Sequence, residues 1–293
     1  MKTLAFYNEK GGVGKSTFTI MMASWLKYKH GVNVGVADFN KRLEQYRRDE
    51  IKERTYKKLP VIDEEKMWPI VTSDTKKITE MERNTHTPMA AAFWLEREIR
   101  QGRLQNLDVL FVDLPGAALG KEFLQMVTGQ YIGLWIIPLD KELQAFRASI
   151  AVKNTLEKTK STFAGFINFA QKYFRFEEQT LLMKSYMEAG LPVLPDIISA
   201  SDRMKNISEP DIMRSTISVP NWESKLFRGA RDLGTENLFT DIARLLAKTP
   251  DFRGTPVYDM TFVSKLEKQA KGQNMRQLKG SSFPAFEIDT ENN

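Results

Sequence analysis

The chain has 293 residues, 42% of them hydrophobic and 27% charged, with no cysteine, two histidines and a formal charge of +6 at a pI near 9.2. This is the composition of a soluble globular protein; it excludes disulfides, thiolate zinc sites and cysteine-held iron–sulfur clusters, and His30 and His86 alone make a poor metal set, so any metal is expected on oxygen ligands. The opening run MKTLAFYNEKGG turns glycine-rich too early for a signal-peptide core or a bilayer helix, so a cytoplasmic location is expected, and the positive excess suits nucleic acid, an anionic membrane or plain solubility.

In chain order, TLAFYN (3–8) predicts a short strand that stops at a glycine loop, and FTIMMASWLKYK (18–29) has apolar residues at helical spacing. Gly31 ends that helix, VNVGVAD (32–38) predicts a second buried strand, and the charged stretch 41–54 a second helix. The segment 55–87 has little periodicity; within it MWPIVTSD (67–74) fits an edge strand, where proline is tolerated. A helix is predicted over 87–102, opened by threonine before proline and closed by glycine, followed by the strand LDVLFVDLPGA (107–117). Further strands are predicted at 131–138, 162–169 and 191–197, with helices at 140–158, 176–189 and 235–248. Strands alternating with helices imply an α/β fold, a mostly parallel β-sheet with helices on both faces. A compact domain is expected over 1–249, with 250–293 as a basic, polar tail.

The stretch NEKGGVGKST (8–17) carries the chemistry. Glycines 11, 12 and 14 let backbone N–H groups turn inward around a phosphate, Lys15 supplies charge at the β/γ end, Ser16 offers a hydroxyl to Mg²⁺, and the following helix points its positive end at the same anion. A strand before it and a helix after it are the context this mechanism requires, so Lys10, Gly11, Gly12, Val13, Gly14, Lys15, Ser16 and Thr17 are the expected nucleotide-binding residues. Asp38 and Asp113 each end a predicted strand at the carboxyl edge of the sheet, where open α/β sheets bind ligands, and with Ser16 they are the expected Mg²⁺ ligands; capping of a following helix is the alternative for either aspartate.

Glu9 stands where the standard phosphate-loop pattern has glycine, and KGGVGKST resembles the deviant Walker A loop of the ParA/MinD group of P-loop ATPases. The resemblance covers roughly the first 250 residues and is most specific at 8–17. It implies a cytoplasmic ATPase that binds Mg-ATP, closes into a homodimer and binds DNA non-specifically in partition of a plasmid, chromosome or mobile element, with a ParB-like protein as a stimulating partner. In that group the early lysine, here Lys10, reaches the nucleotide of the other subunit. Two triphosphates facing each other repel unless each partner donates a cation, which is the physical use of such a residue.

The same resemblance makes Lys10, Lys15, Asp38 and Asn40 the catalytic set and places Asn168 at the adenine edge, against the plainer reading of a strand-end turn asparagine. Relatives usually carry Asp-x-Asp where this chain has Asp38-Phe39-Asn40, and asparagine can hold a water but cannot take its proton, so hydrolysis is expected to be slow or lost. A nucleotide-gated scaffold without useful turnover is therefore the second reading, and an ATP-dependent synthetase of the dethiobiotin type the third. The turn after Asp113, LPGAALG, matches the segment that senses the γ-phosphate in relatives, and 195–208 the segment that closes over the base. DNA contact is expected from Arg203, Lys205, Arg214, Lys225, Arg228, Arg231, Lys265, Lys268, Lys271, Arg276 and Lys279; a membrane helix of the MinD kind at 262–271 has too narrow an apolar face to be preferred.

Overall fold

The structure is a computed structural model that describes residues 1–58, 67–85, 89–159, 161–170, 176–199 and 235–252. Seven parallel strands form one sheet in the order β3-β2-β4-β1-β5-β6-β7. They are β1 (Lys2–Phe6), β2 (Val34–Asp38), β3 (Ile70–Thr72), β4 (Val109–Asp113), β5 (Leu134–Leu139), β6 (Thr162–Ala170) and β7 (Val193–Ser199). The α/β class with a parallel sheet is as the sequence predicts, and the Pro69-led segment is indeed an edge strand, although a short one.

The helices are α1 (Lys15–Ser24), which continues into one π turn over Trp25–Lys29, α2 (Leu43–Tyr56), α3 (Thr75–Thr85), α4 (Ala90–Gln101), α5 (Lys121–Thr128), α6 (Leu143–Lys158), α7 (Phe176–Glu188) and α8 (Thr235–Lys248). Two of them, α3 and α5, are additional to the predicted set. Helix α4 starts at Ala90, and its first N–H groups are met from another element: the Gln125 side-chain oxygen accepts Ala91 N–H at 2.8 Å and Ala92 N–H at 3.4 Å. The threonine expected to open it, Thr87, lies outside the described residues, as do most of the expected tail and every cation named for DNA.

Strand alternation divides the interior into two cores. On one face Ala5, Tyr7, Leu110, Val112, Trp135 and Ile137 pack with α4, α5 and α6; on the other Leu4, Phe6, Val34, Val36, Val109, Phe111, Leu134 and Ile136 pack with α1 and α8. The near-continuous apolar runs read from the sequence are the mark of strands buried on both faces. Residues after α8 close back onto the start of β1: Phe252 N–H donates to the Met1 carbonyl at 2.8 Å, Lys2 donates to the Thr249 carbonyl, and Asp251 lies 3.3 Å from the Lys2 ammonium. No helix among the described residues is long and apolar enough to cross a membrane.

β1 pairs with β4 on one side and β5 on the other, so the strand order reverses there and the crevice lies at its carboxyl end. The register sets Asp38 directly opposite Asp113 at that same edge.

Candidate functional site

The chain leaves β1 at Phe6 and enters α1 at Lys15 through the glycine loop. Gly12 and Gly14 sit at φ 75 and φ 86, left-handed geometry that glycine takes without strain, and a Cβ on Gly14 would stand 3.3 Å from the Asn168 amide nitrogen. No side chain caps α1 and its first turn carries no acid, so the N–H groups at its start face the loop. Lys15 is buried, and its ammonium donates to the Lys10 carbonyl at 3.0 Å. Burial lowers the Lys15 pKa to about 8, with Asp113 pulling it up and Arg42 pushing it down. Val13 is buried and Thr17 half-buried, while Gly11 is exposed.

Behind the loop the Ser16 hydroxyl lies 2.8 and 3.1 Å from the two oxygens of Asp113, and the Asn40 amide donates to the Ser16 oxygen at 3.2 Å. Asp113 is fully buried; burial first, and then the charge of Asp38, push its carboxyl up to about 7, against the smaller opposing pulls of Ser16, Lys15 and Asn40. Asp38 spends one oxygen on Lys41 N–H at 2.7 Å and the other on Leu43 N–H at 2.9 Å, the capping role named above as the alternative. Burial raises its pKa, and those backbone donors oppose the rise.

This donor set fits Mg²⁺ of the kind that keeps several waters and phosphate oxygens: a hydroxyl and one carboxylate side by side. Among the described residues no group of three His, Asp or Glu side chains could hold a metal alone. Ser16 and Asp113 are the pair that would hold it.

Lys10 does not extend from the loop. Its ammonium is 2.9 Å from Asp140 and 2.6 Å from Glu142 of the same chain, just past β5. Burial alone would lower its pKa; the hydrogen bonds and charges of Glu142 and Asp140 raise it. The backbone there is fixed in turn: Asn8 accepts Lys10 N–H at 2.9 Å and donates to the Pro138 carbonyl at 2.9 Å and to Ser149 at 3.0 Å, while the Tyr186 hydroxyl donates to the Asp140 carbonyl at 2.8 Å. Asn168 is buried against the loop and donates to the Val13 carbonyl at 2.9 Å; its oxygen has no partner among the described residues.

The structure thus brings Lys10, Lys15, Ser16, Asp38, Asn40, Asp113 and Asn168 to one edge of the sheet around residues 8–17. It adds two that the sequence did not single out, Asp140 and Glu142, and gives contacts to Glu9 and to Gly116 of the LPGAALG turn. A Cβ on Gly116 would stand 2.5 Å from the Lys15 ammonium nitrogen, so a side chain here would displace the end of Lys15. From the segment 195–208 only 195–199 falls within the described residues.

A family model described as AAA domain matches residues 1–163, more than half of the chain. Among solved structures, McdA from Cyanothece is similar at TM-score 0.59 and 16% identity, over 84% of this chain and 99% of that one. A plasmid partition protein from Borrelia burgdorferi B31, bound to AMPPNP, is similar at 0.56 and 17%, over 84% of this chain and 98% of that one. The MinD cell division protein of Aquifex aeolicus is similar at 0.50 and 18%, over 81% and 97%. At these identities the likeness is one of fold. No curated protein matches the sequence.

Proposed function

The chain belongs to the AAA domain family and has the fold of the ParA/MinD-type P-loop ATPases, and from that premise we propose that it binds Mg-ATP, closes into a homodimer, binds DNA in that form and releases it on slow hydrolysis. The observation that carries the reading is the adjacency of the Lys15 ammonium, the Ser16 hydroxyl and the Asp113 carboxylate at the mouth of a loop whose glycines adopt left-handed backbone. Lys15 exchanges the Lys10 carbonyl for a phosphate oxygen, and the helix start and loop N–H groups hold the rest of the anion. Ser16 and Asp113 would hold Mg²⁺, which would supply charge stabilisation to the phosphoryl group being transferred.

Asp38, through its bonds to Lys41 and Leu43, fixes the turn that carries Asn40. Asn40 then orients water without accepting its proton, so positioning and charge are left to do most of the catalysis. Lys10 leaves Asp140 and Glu142 when a second protomer presents a triphosphate. The domain doing this is assigned to 1–249, with 250–293 and the basic residues named above as the DNA-contacting part. The plasmid partition protein among the similar structures supports a partition or maintenance role.

The test is a DNA titration with ADP, ATP and a slowly hydrolysed analogue at two salt concentrations, run beside phosphate release. Retention on DNA with ATP and the analogue alone, falling steeply with salt, is expected. Retention indifferent to nucleotide would overturn it. The Asn40 bond to Ser16 favours one second reading, a nucleotide-gated scaffold, which predicts tight ATP binding without turnover even with DNA present.

A further inference from the structure

Two residues apart on the segment leaving β1, Tyr7 and Glu9 grip two residues, also two apart, on the loop leaving β4. The Tyr7 hydroxyl donates to the Ala117 carbonyl at 3.2 Å, and a Glu9 carboxylate oxygen accepts Leu119 N–H at 3.1 Å. Leu119 is held at φ 36, left-handed backbone that a branched aliphatic side chain disfavours, while that side chain is buried in the core. Strain of this kind persists where the surroundings over-determine it, and here Glu9 and the buried leucine side chain fix the backbone from two directions. The geometry they impose seats Gly116 against Lys15, the lysine assigned to phosphate.

We propose that Glu9 is a positioning residue for nucleotide sensing: its carboxylate fixes the far end of residues 114–120 so that Gly116 lies beside Lys15, ready to register the γ-phosphate. This rests on the reading of the crevice as an ATP site. Glycine, which the standard pattern places here, has no group that could make the contact, so this chain couples its phosphate loop to the neighbouring loop through a side chain of its own.

Burial pushes the Glu9 carboxyl up to about 7, against the smaller opposing pull of Leu119 N–H. The ionisable group that feels its charge is Tyr7, whose hydroxyl is itself pushed well up by burial and then by Glu9, with a smaller push from Glu122 at the start of α5. An ionised carboxylate accepts an N–H more strongly than a protonated one. The loop is therefore held more firmly as pH rises through about 7.

The test uses the full chain with Glu9→Ala and Glu9→Gln, reading hydrogen exchange of residues 114–120, ADP affinity, and turnover from pH 6 to 8. Glu9→Ala should speed exchange at Leu119 and lower kcat about tenfold, the loss of one charge-assisted bond, with ADP affinity within about twofold. Glu9→Gln keeps an acceptor and should restore most of the turnover, but with a shallower rise between pH 6 and 8 than the wild type shows, Asp113 and Lys15 still titrating. Wild-type exchange or wild-type turnover in Glu9→Ala, or a wild-type pH profile in Glu9→Gln, would overturn the proposal. A wild-type chain that binds no ATP refutes the ATP-site reading instead; exchange at Leu119, corrected for its intrinsic pH dependence, still decides whether Glu9 holds the loop.

Discussion

The Lys10 ammonium lies 2.9 Å from the Asp140 carboxylate of its own chain, across 130 residues of sequence. A lysine proposed to serve a second protomer is thus held at home by Asp140 and, at 2.6 Å, by Glu142. Any contact it makes across an interface competes with this pair.

Replacing the two acids by their amides should therefore favour ATP-dependent assembly. Glu142 is 60% exposed, so its share is small, about 0.2–1 kcal/mol, or up to roughly fivefold in dimer affinity. Sedimentation velocity with ATP reads the effect for Asp140→Asn with Glu142→Gln. Lys10→Ala should weaken assembly while leaving monomeric nucleotide affinity within a few-fold; loss of nucleotide binding with assembly unchanged would contradict the role given to Lys10.

Nucleotide affinity should fall as pH rises past 8. Lys15 must be charged to hold a phosphate, and burial has brought its pKa down to about 8, so the charge fades between pH 7.5 and 9.5, where an exposed lysine would keep it. Calorimetric titrations with ADP across that range should show proton uptake on binding. Lys15→Ala should abolish binding at every pH, and a residual pH-dependent affinity in that variant would assign the effect elsewhere.

Asp113 and Asp38 face each other with raised pKa values, so the folded protein binds protons that the unfolded chain releases. Folding stability should accordingly increase on acidification from pH 8 towards 5, being lost as pH rises through about 7. Asp113→Asn should reduce this slope, leaving the part that the raised Glu9 and Asp38 carboxyls contribute, and, without Mg²⁺, raise stability at pH 8 by about 1–3 kcal/mol, a few degrees in Tm. The same variant should no longer be stabilised by Mg²⁺ with ADP. Thermal melts with and without the ion check both; a pH slope unchanged in Asp113→Asn would rule out the buried pair as its source.

Asn40→Asp supplies the carboxylate that the Asp38-Phe39-Asn40 turn lacks. Phosphate release should rise at least about tenfold if that position handles water, general base catalysis being worth about 10²–10⁴. A third carboxylate beside Asp38 and Asp113 should also lower stability in EDTA. Unchanged turnover would show that residue 40 does not limit the reaction.

The sheet was legible because strands buried on both faces read as apolar runs such as VLFVD and LWIIPL, and the loop was legible because its glycines and lysine are contiguous. Helix α3 was not, since TKKITEMERNT offers little apolar face, nor was the eight-residue α5, too short to establish a period. The Gln125 cap on α4 joins positions more than thirty apart, and the partners of Lys10 lie farther still; no local pattern encodes either. Asp38 was the intermediate case: strand end, cap and metal ligand share one sequence signature, and only the placement of Lys41 and Leu43 N–H distinguishes what its oxygens do.

β1 is a five-residue strand paired on both sides, fastened at its first residues to Thr249, Asp251 and Phe252 and opening at its last into the phosphate loop. It acts as a stiff rod with a handle at one end and the glycine loop at the other. A tug applied at Phe252 would be transmitted along that rod for about 16 Å before it reached the end that leads into the glycines.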